Sequence, residues 1–272
     1  MRATAATVPL LLLIADTDVP ARTWNIHPDG SGDAATIQAA ADAAAPGDSI
    51  LVHPGTYAEQ VTIDVDRVCR IGVGGPAATT VDAAGVGCCL TTHGTETLVK
   101  GLRFAGAGQS YGYGGWGVLA WAPTVVEECR FEPGGDLGAV YGRGASLSIG
   151  GSELSGGARV LFSGSDLVIR DCTFRGNDDV GEAGQTVVQI LWEDHDGHTI
   201  AEIADNAFED NLGFVSEIPV IGWDSIYDAG SLDLVVERNL FLRNGGPAVG
   251  PNDLAIICPR AGGGPITLTV EN

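Results

Sequence analysis

The chain has 272 residues, a mass of 27.9 kDa and a formal net charge of −21 at pH 7. With 35 acidic residues against 14 basic ones, this balance argues against nucleic acid and anionic membrane lipid as partners, because both are bound by basic faces. The hydrophobic share of 44% is enough for a sizeable core, and 40 glycines scattered along the chain indicate recurring turns.

The first predicted element is an export signal within residues 1–23. An apolar run over residues 8–15 follows Arg2, and it is too short to span a bilayer but of the length of a signal-peptide core. No other stretch approaches a transmembrane segment. We therefore predict an extracellular, periplasmic or cell-surface location, with the folded domain over residues 24–272.

A short helix is predicted next, over residues 34–45. Asp33 is expected to cap it, Ile37, Ala40 and Ala41 fall on one face, and Pro46 with Gly47 ends it. A strand follows from residue 48, breaks at residues 54–55 and resumes over residues 61–63. The helix is suited to cover the open end of a stack of strands, which would otherwise expose core and unpaired strand edge.

From residue 98 onward a short motif recurs. It consists of alternating apolar residues, a polar pair, a small or amide residue, and a large apolar residue two positions later. Strict alternation marks short strands with one buried face, and a coil of about 20 residues has no room for a crossover helix. The sequence therefore predicts an all-β, right-handed parallel β-helix of about seven coils. The large residues are Phe104, Phe131, Leu154, Phe174, Phe208 and Phe241.

The small or amide position is predicted to form an interior column. Stacked amides hydrogen-bond to one another and to the turn backbone, so their burial is satisfied. Cys129 and Cys172 belong to this column, two coils apart, which exceeds the Cα separation of about 7 Å that a disulfide tolerates. The six cysteines show no CxxC pairing, so structural zinc is not expected. The column comprises Leu102, Cys129, Ser152, Cys172, Asn206 and Asn239.

Two sets of residues resemble known families. Residues 29–31, 36–40, 46–48 and 52–57 resemble the start of pectin-lyase-like β-helix proteins. The Phe-x-x-Asn steps that begin at Phe174, Phe208 and Phe241, the last followed by a Gly-Gly-x-Ala-aliphatic step, resemble repeats of the polymorphic outer membrane protein type. The first resemblance implies the fold of a superfamily that includes polysaccharide lyases, hydrolases, epimerases and non-enzymes. Fold alone does not decide among these activities.

Aromatic residues end the strand ahead of each repeat copy and are predicted to form one column. Two interpretations are open: a buried stack, or platforms on which sugar rings lie. The second makes Trp192, Trp223, Tyr227 and His195 candidates for carbohydrate contact. The aromatic positions are Trp121, Tyr141, Phe162, Trp192 and Trp223.

Acidic loops follow the last two tryptophans. Asp194 and Asp196 lie one predicted coil before Asp224 and Asp228, so the four carboxylates would meet at one rim. Such a group could hold Ca²⁺, which takes six to eight oxygen ligands, or it could be an ordinary polar loop. No other cofactor is required. For a lyase, the nearby candidate bases are Arg175, Arg243 and Arg260, and none stands in a recognisable motif.

The final residues, 268–272, match residues 235–239 and stop before the next large residue, so we interpret the chain as a fragment with an uncapped C-terminal end. The main functional prediction is a non-catalytic, exported and monomeric module of a larger bacterial surface or secreted protein. It would be adhesin-like or contact a polysaccharide or cell-surface glycan. The alternative is a polysaccharide lyase or glycoside hydrolase that acts on an acidic polysaccharide.

Overall fold

The chain winds through three parallel sheets in a fixed order. The computed structural model describes residues 20–108, 115–132, 138–177, 187–191, 198–211, 221–224, 231–246, 250–252, 256–259 and 266–271. Each coil contributes one strand to sheet A, then one to sheet B and one to sheet C. A two-stranded antiparallel pair, Asn244–Gly246 with Gly250–Asn252, stands beside them. The predicted parallel β-helix is confirmed.

The strands are short because each must turn a corner before the next sheet begins. Sheet A consists of Thr23–Ile26, Ser49–Val52, Cys69–Gly72, Thr97–Lys100, Thr124–Glu127, Leu147–Gly150, Asp166–Arg170, His198–Ala204, Ser231–Glu237 and Ile266–Glu271. Sheet B consists of Gly55–Ala58, Thr79–Asp82, Arg103–Ala105, Arg130–Glu132, Glu153–Ser155, Thr173–Arg175, Ala207–Glu209 and Leu240–Leu242. Sheet C consists of Val61–Ile63, Leu90–Thr92, Trp116–Ala120, Gly138–Arg143, Val160–Ser163, Val188–Leu191, Ile221–Asp224 and Ile256–Pro259.

The large residues of the repeat form one continuous stack inside sheet B. Each is the register partner of the next, from Phe104 to Phe241 with Leu154 among them. The rings stack at centroid distances of 5.2 Å between Phe104 and Phe131, 4.6 Å between Phe174 and Phe208, and 5.0 Å between Phe208 and Phe241. The repeat therefore marks equivalent positions in successive coils, as predicted.

The interior column of small and amide residues lies at the corner between sheets A and B. The Asn206 Oδ1 atom accepts from the Cys172 backbone at 2.9 Å, and Asn206 Nδ2 donates to Asn239 Oδ1 at 3.0 Å. Cys129 and Cys172 are buried free thiols, as predicted, and burial raises the pKa of each to about 12. Hydrogen bonds thus link Cys129 to Ser152, and Cys172 through Asn206 to Asn239, and the corner repeats from coil to coil.

The Phe-x-x-Asn steps build a second ladder at the corner between sheets B and C. Asn177 Nδ2 donates to Asn211 Oδ1 at 2.9 Å, and Asn211 Nδ2 donates to Asn244 Oδ1 at 2.8 Å. All three side chains are buried. Any β-helix with an amide at this position could form the same hydrogen-bonded corner. The specific resemblance to polymorphic outer membrane proteins therefore stays a prediction.

The capping helix is shorter than predicted and has a different cap. It runs over Ile37–Ala43, and Thr36 Oγ1 accepts from the Ala39 backbone at 3.0 Å. Asp33 was the wrong cap because its carboxylate instead accepts from the backbone and side chain of Asn25, at 2.7 and 3.1 Å. Among the described residues no helix is long and apolar enough to cross a membrane. Residues 1–19, which hold most of the predicted leader, lie outside the described part.

The Asp48 carboxylate ties the first strand of sheet A to the end of the helix. It is buried, and it accepts hydrogen bonds from the Arg22 backbone at 2.7 Å, from Trp24 Nε1 at 3.0 Å and from the Ala45 backbone at 2.9 Å. Burial pushes the pKa of Asp48 upward, but the N–H donors, that of Ala45 foremost, outweigh it and hold the pKa below 3.8. The ionised form is therefore the one that the fold favours.

Acid is expected to release this stabilisation. Because the pKa of Asp48 is depressed by folding, its contribution is complete above the unfolded pKa of about 3.9 and is lost as pH falls through the lower folded value. Asp48→Asn should lower the free energy of unfolding at pH 7, and the difference from the parent should shrink below about pH 4. Urea denaturation across that range measures it. Asp42→Asn, on the exposed face of the helix, is the matched control, and an equal effect there would contradict the assignment.

Candidate functional site

Among the described residues, the register of sheet C divides the predicted aromatic column among several rows. Tyr141 pairs with Leu161, whereas Phe162 pairs with Gly142 and lies one row further along. Phe162 belongs to the main core, whereas Tyr141 belongs to a separate apolar cluster. The backbone of Trp223 pairs with Ile190, and Leu191, which directly precedes Trp192, pairs with Asp224. Because Ile190 also pairs with Phe162, Trp223 and Phe162 share one row two coils apart, whereas Tyr141 lies in another row.

A different row, at the carboxyl end of the strands in sheet C, brings polar residues together. Asp64, His93 and Trp121 each directly follow a strand, and Arg143 ends the next one. The registers of the preceding residues, Ile63 with Thr92 and Thr92 with Ala120, place the four side chains on successive coils. The row continues through Ser163 and Leu191 to Asp224. We call it the edge row.

His93 and Asp64 form an oriented pair in the edge row. His93 Nδ1 lies 2.8 Å from Asp64 Oδ1, and the two side chains are 47% and 75% exposed. A carboxylate has no proton to donate, so in the neutral imidazole Nδ1 carries the proton and donates it to Asp64. Nε2 is then left as an acceptor. This is the arrangement in which a histidine serves as a general base.

Trp121 and Arg143 stand next to this pair. The Trp121 ring centroid is 6.4 Å from that of His93, and Trp121 is among the exposed large hydrophobic residues, at 36%. The Arg143 guanidinium lies 5.0 Å above the same ring, within the range of a cation–π contact. A base, a partly exposed aromatic ring and a cation therefore meet within three successive coils.

An apolar cluster on the outer side of sheet C borders the edge row. Trp116, Leu119, Tyr141 and Leu161 pack together apart from the main core, and all four are buried. The Trp116 and Tyr141 rings lie 5.1 Å apart, and the Arg159 guanidinium lies 5.1 Å from the Trp116 ring. This cluster fixes the outward-facing side of the strands from which the edge row projects.

Most of the sequence-predicted site residues lie outside the described residues. For Trp223 and Asp224 the structure describes the backbone only, in the strand Ile221–Asp224, which pairs with Val188–Leu191. That pairing places the two strands on adjacent coils, with the Asp224 backbone in the edge row. The calcium site and the carbohydrate contacts stay predictions. The residues outside are Trp192, Asp194, His195, Asp196, Tyr227 and Asp228.

Two of the candidate lyase bases form ion pairs with acidic residues. The Arg175 guanidinium donates to Glu209 at 2.7 Å, and Arg243 makes a two-point contact with Asp210 at 2.6 and 2.8 Å. Each pair links neighbouring coils through sheet B. Arg260 lies outside the described residues. Within the described ranges no group of three His, Cys, Asp or Glu side chains is arranged to hold a metal ion.

Sequence reasoning missed Asp64, His93 and Arg143 as site residues. A signal for the first two is present, because Asp64 follows Val-Thr-Ile and His93 follows Leu-Thr-Thr, so each polar residue directly succeeds an alternating strand one coil apart. The repeat copies that the sequence reveals begin at residue 98, and these two coils precede them.

The three-sheet coil, the helical cap and the stacked corners define a pectin-lyase-like right-handed parallel β-helix. The sequence matches no model of a known protein family and no curated protein. A pectin methylesterase from carrot has a similar structure, with a TM-score of 0.62 and 14% identity over 91% of this chain and 82% of that one. A pectin methylesterase mutant in complex with a hexasaccharide has a TM-score of 0.52 and 10% identity, over 88% of this chain and 93% of that one. At these identities the likeness shows the fold.

The comparison corrects the main functional prediction. The sequence favoured a non-catalytic, adhesin-like module, whereas both of these similar solved structures carry the names of carbohydrate esterases. The alternative, an enzyme that acts on a polysaccharide, is the better supported of the two. The sequence carries no recognisable active-site motif of polysaccharide lyases or hydrolases, and the lack of such motifs does not exclude a different catalytic chemistry.

Proposed function

We propose that this chain is a polysaccharide-modifying enzyme that hydrolyses ester groups on an acidic polysaccharide bound along the edge row. The observation that carries the proposal is the Asp64–His93 pair next to the partly exposed ring of Trp121. The likeness to pectin methylesterases supports the same substrate class. The pair supplies a base, and the ring supplies a surface on which a sugar lies.

The chemistry needs only groups that the row contains. His93 Nε2 takes a proton from a water molecule as the water oxygen attacks the ester carbonyl carbon. The bond between that carbon and the alkoxy oxygen then breaks, and the imidazolium returns its proton to the departing alcohol. The Asp64 carboxylate holds the ring orientation and stabilises the imidazolium that forms between these steps. The products are an alcohol and a sugar carboxylate.

The charge of the protein favours an esterified substrate over a free polyuronate. A surface with a net charge of −21 repels a chain of carboxylates, whereas an ester-capped chain is neutral at the capped sugars. Arg143 provides a local positive charge beside Trp121, suited to a carboxylate next to the reacting ester or to the newly formed product. The reaction therefore adds negative charge to the polysaccharide. Repulsion from the acidic protein surface then favours release of the de-esterified product.

The row geometry suits an extended ligand. Adjacent strands in a sheet lie about 4.8 Å apart, so the seven positions from Asp64 to Asp224 span roughly 29 Å along the solenoid axis. A polysaccharide laid parallel to the axis would cross Trp121 in the middle coils. It would reach Asp224 at the far end. The proposal accords with the export predicted from residues 8–15.

The purified chain should release methanol from methyl-esterified polyuronate without shortening it. Released methanol and the length of the polysaccharide are measured in the same reaction, together with the ultraviolet absorbance of unsaturated sugar ends. Methanol without unsaturated ends supports the esterase. Unsaturated ends without methanol would assign a lyase and overturn the proposed reaction, and shortening alone would assign a glycoside hydrolase. De-esterified polyuronate is the matched control and should give no product.

A further inference from the structure

A groove crosses the outer face of sheet A, the side of that sheet turned away from the core. Its volume is about 490 Å³, within the range of roughly 300–1,000 Å³ that is usual for binding pockets. It therefore has room for several side chains of another molecule. The groove spans four neighbouring strands: Thr97–Lys100, Thr124–Glu127, Leu147–Gly150 and Asp166–Arg170.

The floor of this sheet A groove is apolar. Side chains alternate between core and surface along a strand, and Leu98, Val125 and Val168 fall in one outward row. Ser148 stands in the same row between Val125 and Val168, and its shorter side chain leaves the recess. Pro123 adds apolar lining beside the row. An apolar floor with a few polar groups at the rim is the usual form of a binding site.

Two carboxylates stand at one rim of the groove without a basic partner among the described residues. Glu96 directly precedes the first of the four strands, and Asp166 begins the fourth, so the two share one register position. Both are exposed. Asp166 Oδ2 accepts from the hydroxyl groups of Ser146 at 3.1 Å and Ser165 at 2.7 Å, which orient the carboxylate but leave its charge in place.

The cations on these four strands lie at the opposite rim and are already paired. Lys100 Nζ contacts the carboxylates of Glu127 at 3.1 Å and Glu128 at 2.9 Å. Arg170 forms an ion pair with Glu202 on the next coil. The rim that carries the two unpaired carboxylates is therefore locally negative, and a partner with basic groups would complement it.

The spacing of the two carboxylates matches the repeat of an extended peptide. Glu96 and Asp166 are three strands apart, and strands lie about 4.8 Å apart, so their positions are separated by roughly 14 Å. In an extended chain, residues i, i+2 and i+4 share one face, and residues i and i+4 are also about 14 Å apart. We infer that the sheet A groove binds an extended segment of a partner protein with basic residues at i and i+4 and an apolar residue at i+2. The basic groups pair with the two carboxylates, and the apolar side chain enters the recess at Ser148.

This binding site is separate from the proposed enzyme activity, because the edge row follows the strands of sheet C. Fluorescence anisotropy of a labelled peptide with Lys-Thr-Leu-Thr-Lys at its centre tests it. The control peptide has the same composition in the order Lys-Lys-Thr-Thr-Leu, which cannot reach both carboxylates. The first peptide should bind the parent chain about 2- to 5-fold more tightly than the control, the usual effect of one exposed ion pair.

Variants of the chain locate the binding. Glu96→Gln and Asp166→Asn should each weaken binding of the first peptide by about 2- to 5-fold. Asp171→Asn removes the same charge from an exposed position on the same coil, at the corner between sheets A and B, and should leave the affinity unchanged. Ser148→Phe fills the recess and should abolish binding, with an unfolding curve by circular dichroism to check its fold.

Equal affinity of the two peptides, or equal weakening by Asp171→Asn and Asp166→Asn, would show attraction to the acidic surface in general and would overturn the inference. Undetectable binding of the first peptide to the parent would overturn it as well. Full binding to a folded Ser148→Phe variant would place the peptide outside the groove. The two carboxylate variants decide the outcome if Ser148→Phe fails to fold.

Discussion

Replacement of Phe208 by alanine should lower the free energy of unfolding by about 3–5 kcal/mol, the range measured for large-to-small changes of buried aromatic residues. Phe208 is fully buried between Phe174 and Phe241, with ring centroids 4.6 and 5.0 Å away. Its loss removes stacking on both sides at once. The cavity cannot collapse easily, because the Asn ladders at both corners of sheet B hold the neighbouring coils at fixed spacing.

Urea denaturation followed by circular dichroism measures this change, with Phe241→Ala as the matched control. Phe241 is the same residue in the same stack but is only partly buried, so its truncation should destabilise by less than half as much. Phe208→Leu should be tolerated better than Phe208→Ala, since Leu154 already takes the equivalent position in another coil. If Phe208→Ala lowered the free energy of unfolding by less than about 1 kcal/mol, far below the usual range, the aromatic stack would not be a main source of core stability.

The stacks were predictable from the sequence because they follow a local rule. A two-residue corner requires a residue in the left-handed conformation, followed by a residue whose small or amide side chain points inward. The next strand begins directly after this second residue. Asp205, with φ of 59°, then Asn206 and Phe208 obey this rule, and so do Arg238, with φ of 52°, Asn239 and Phe241. Each requirement is met within five residues, so the sequence pattern alone reveals it.

The helix cap and the edge row were not predictable in this way, since distant contacts decide them. Asp33 and Thr36 are both suitable N-cap residues. Thr36 caps the helix, because Asn25 in the first strand donates a hydrogen bond to the Asp33 carboxylate. The edge row depends on where each strand of sheet C starts. That position follows loops of varying length, so similar aromatic residues such as Tyr141 and Phe162 end in different rows.

Replacement of His93 by alanine should reduce kcat on methyl-esterified polyuronate by about 10²–10⁴-fold, the usual contribution of a positioned general base. KM should change little, because the imidazole acts on the attacking water and not on the sugar. Added imidazole should restore part of the rate by entering the vacated position. The variant should retain the parent's unfolding curve, since the His93 side chain is nearly half exposed.

Two other substitutions separate catalysis from binding and from general surface effects. Trp121→Ala should raise KM with little change in kcat, because the ring binds the sugar and takes no proton. His198→Ala is the matched control: His198 is also an exposed histidine near a carboxylate, 3.2 Å from Asp233, but it lies on sheet A away from the edge row. Its activity should equal that of the parent. If His93→Ala kept full kcat while His198→Ala lost it, the active site would lie on sheet A, and the edge row would lose its assigned base.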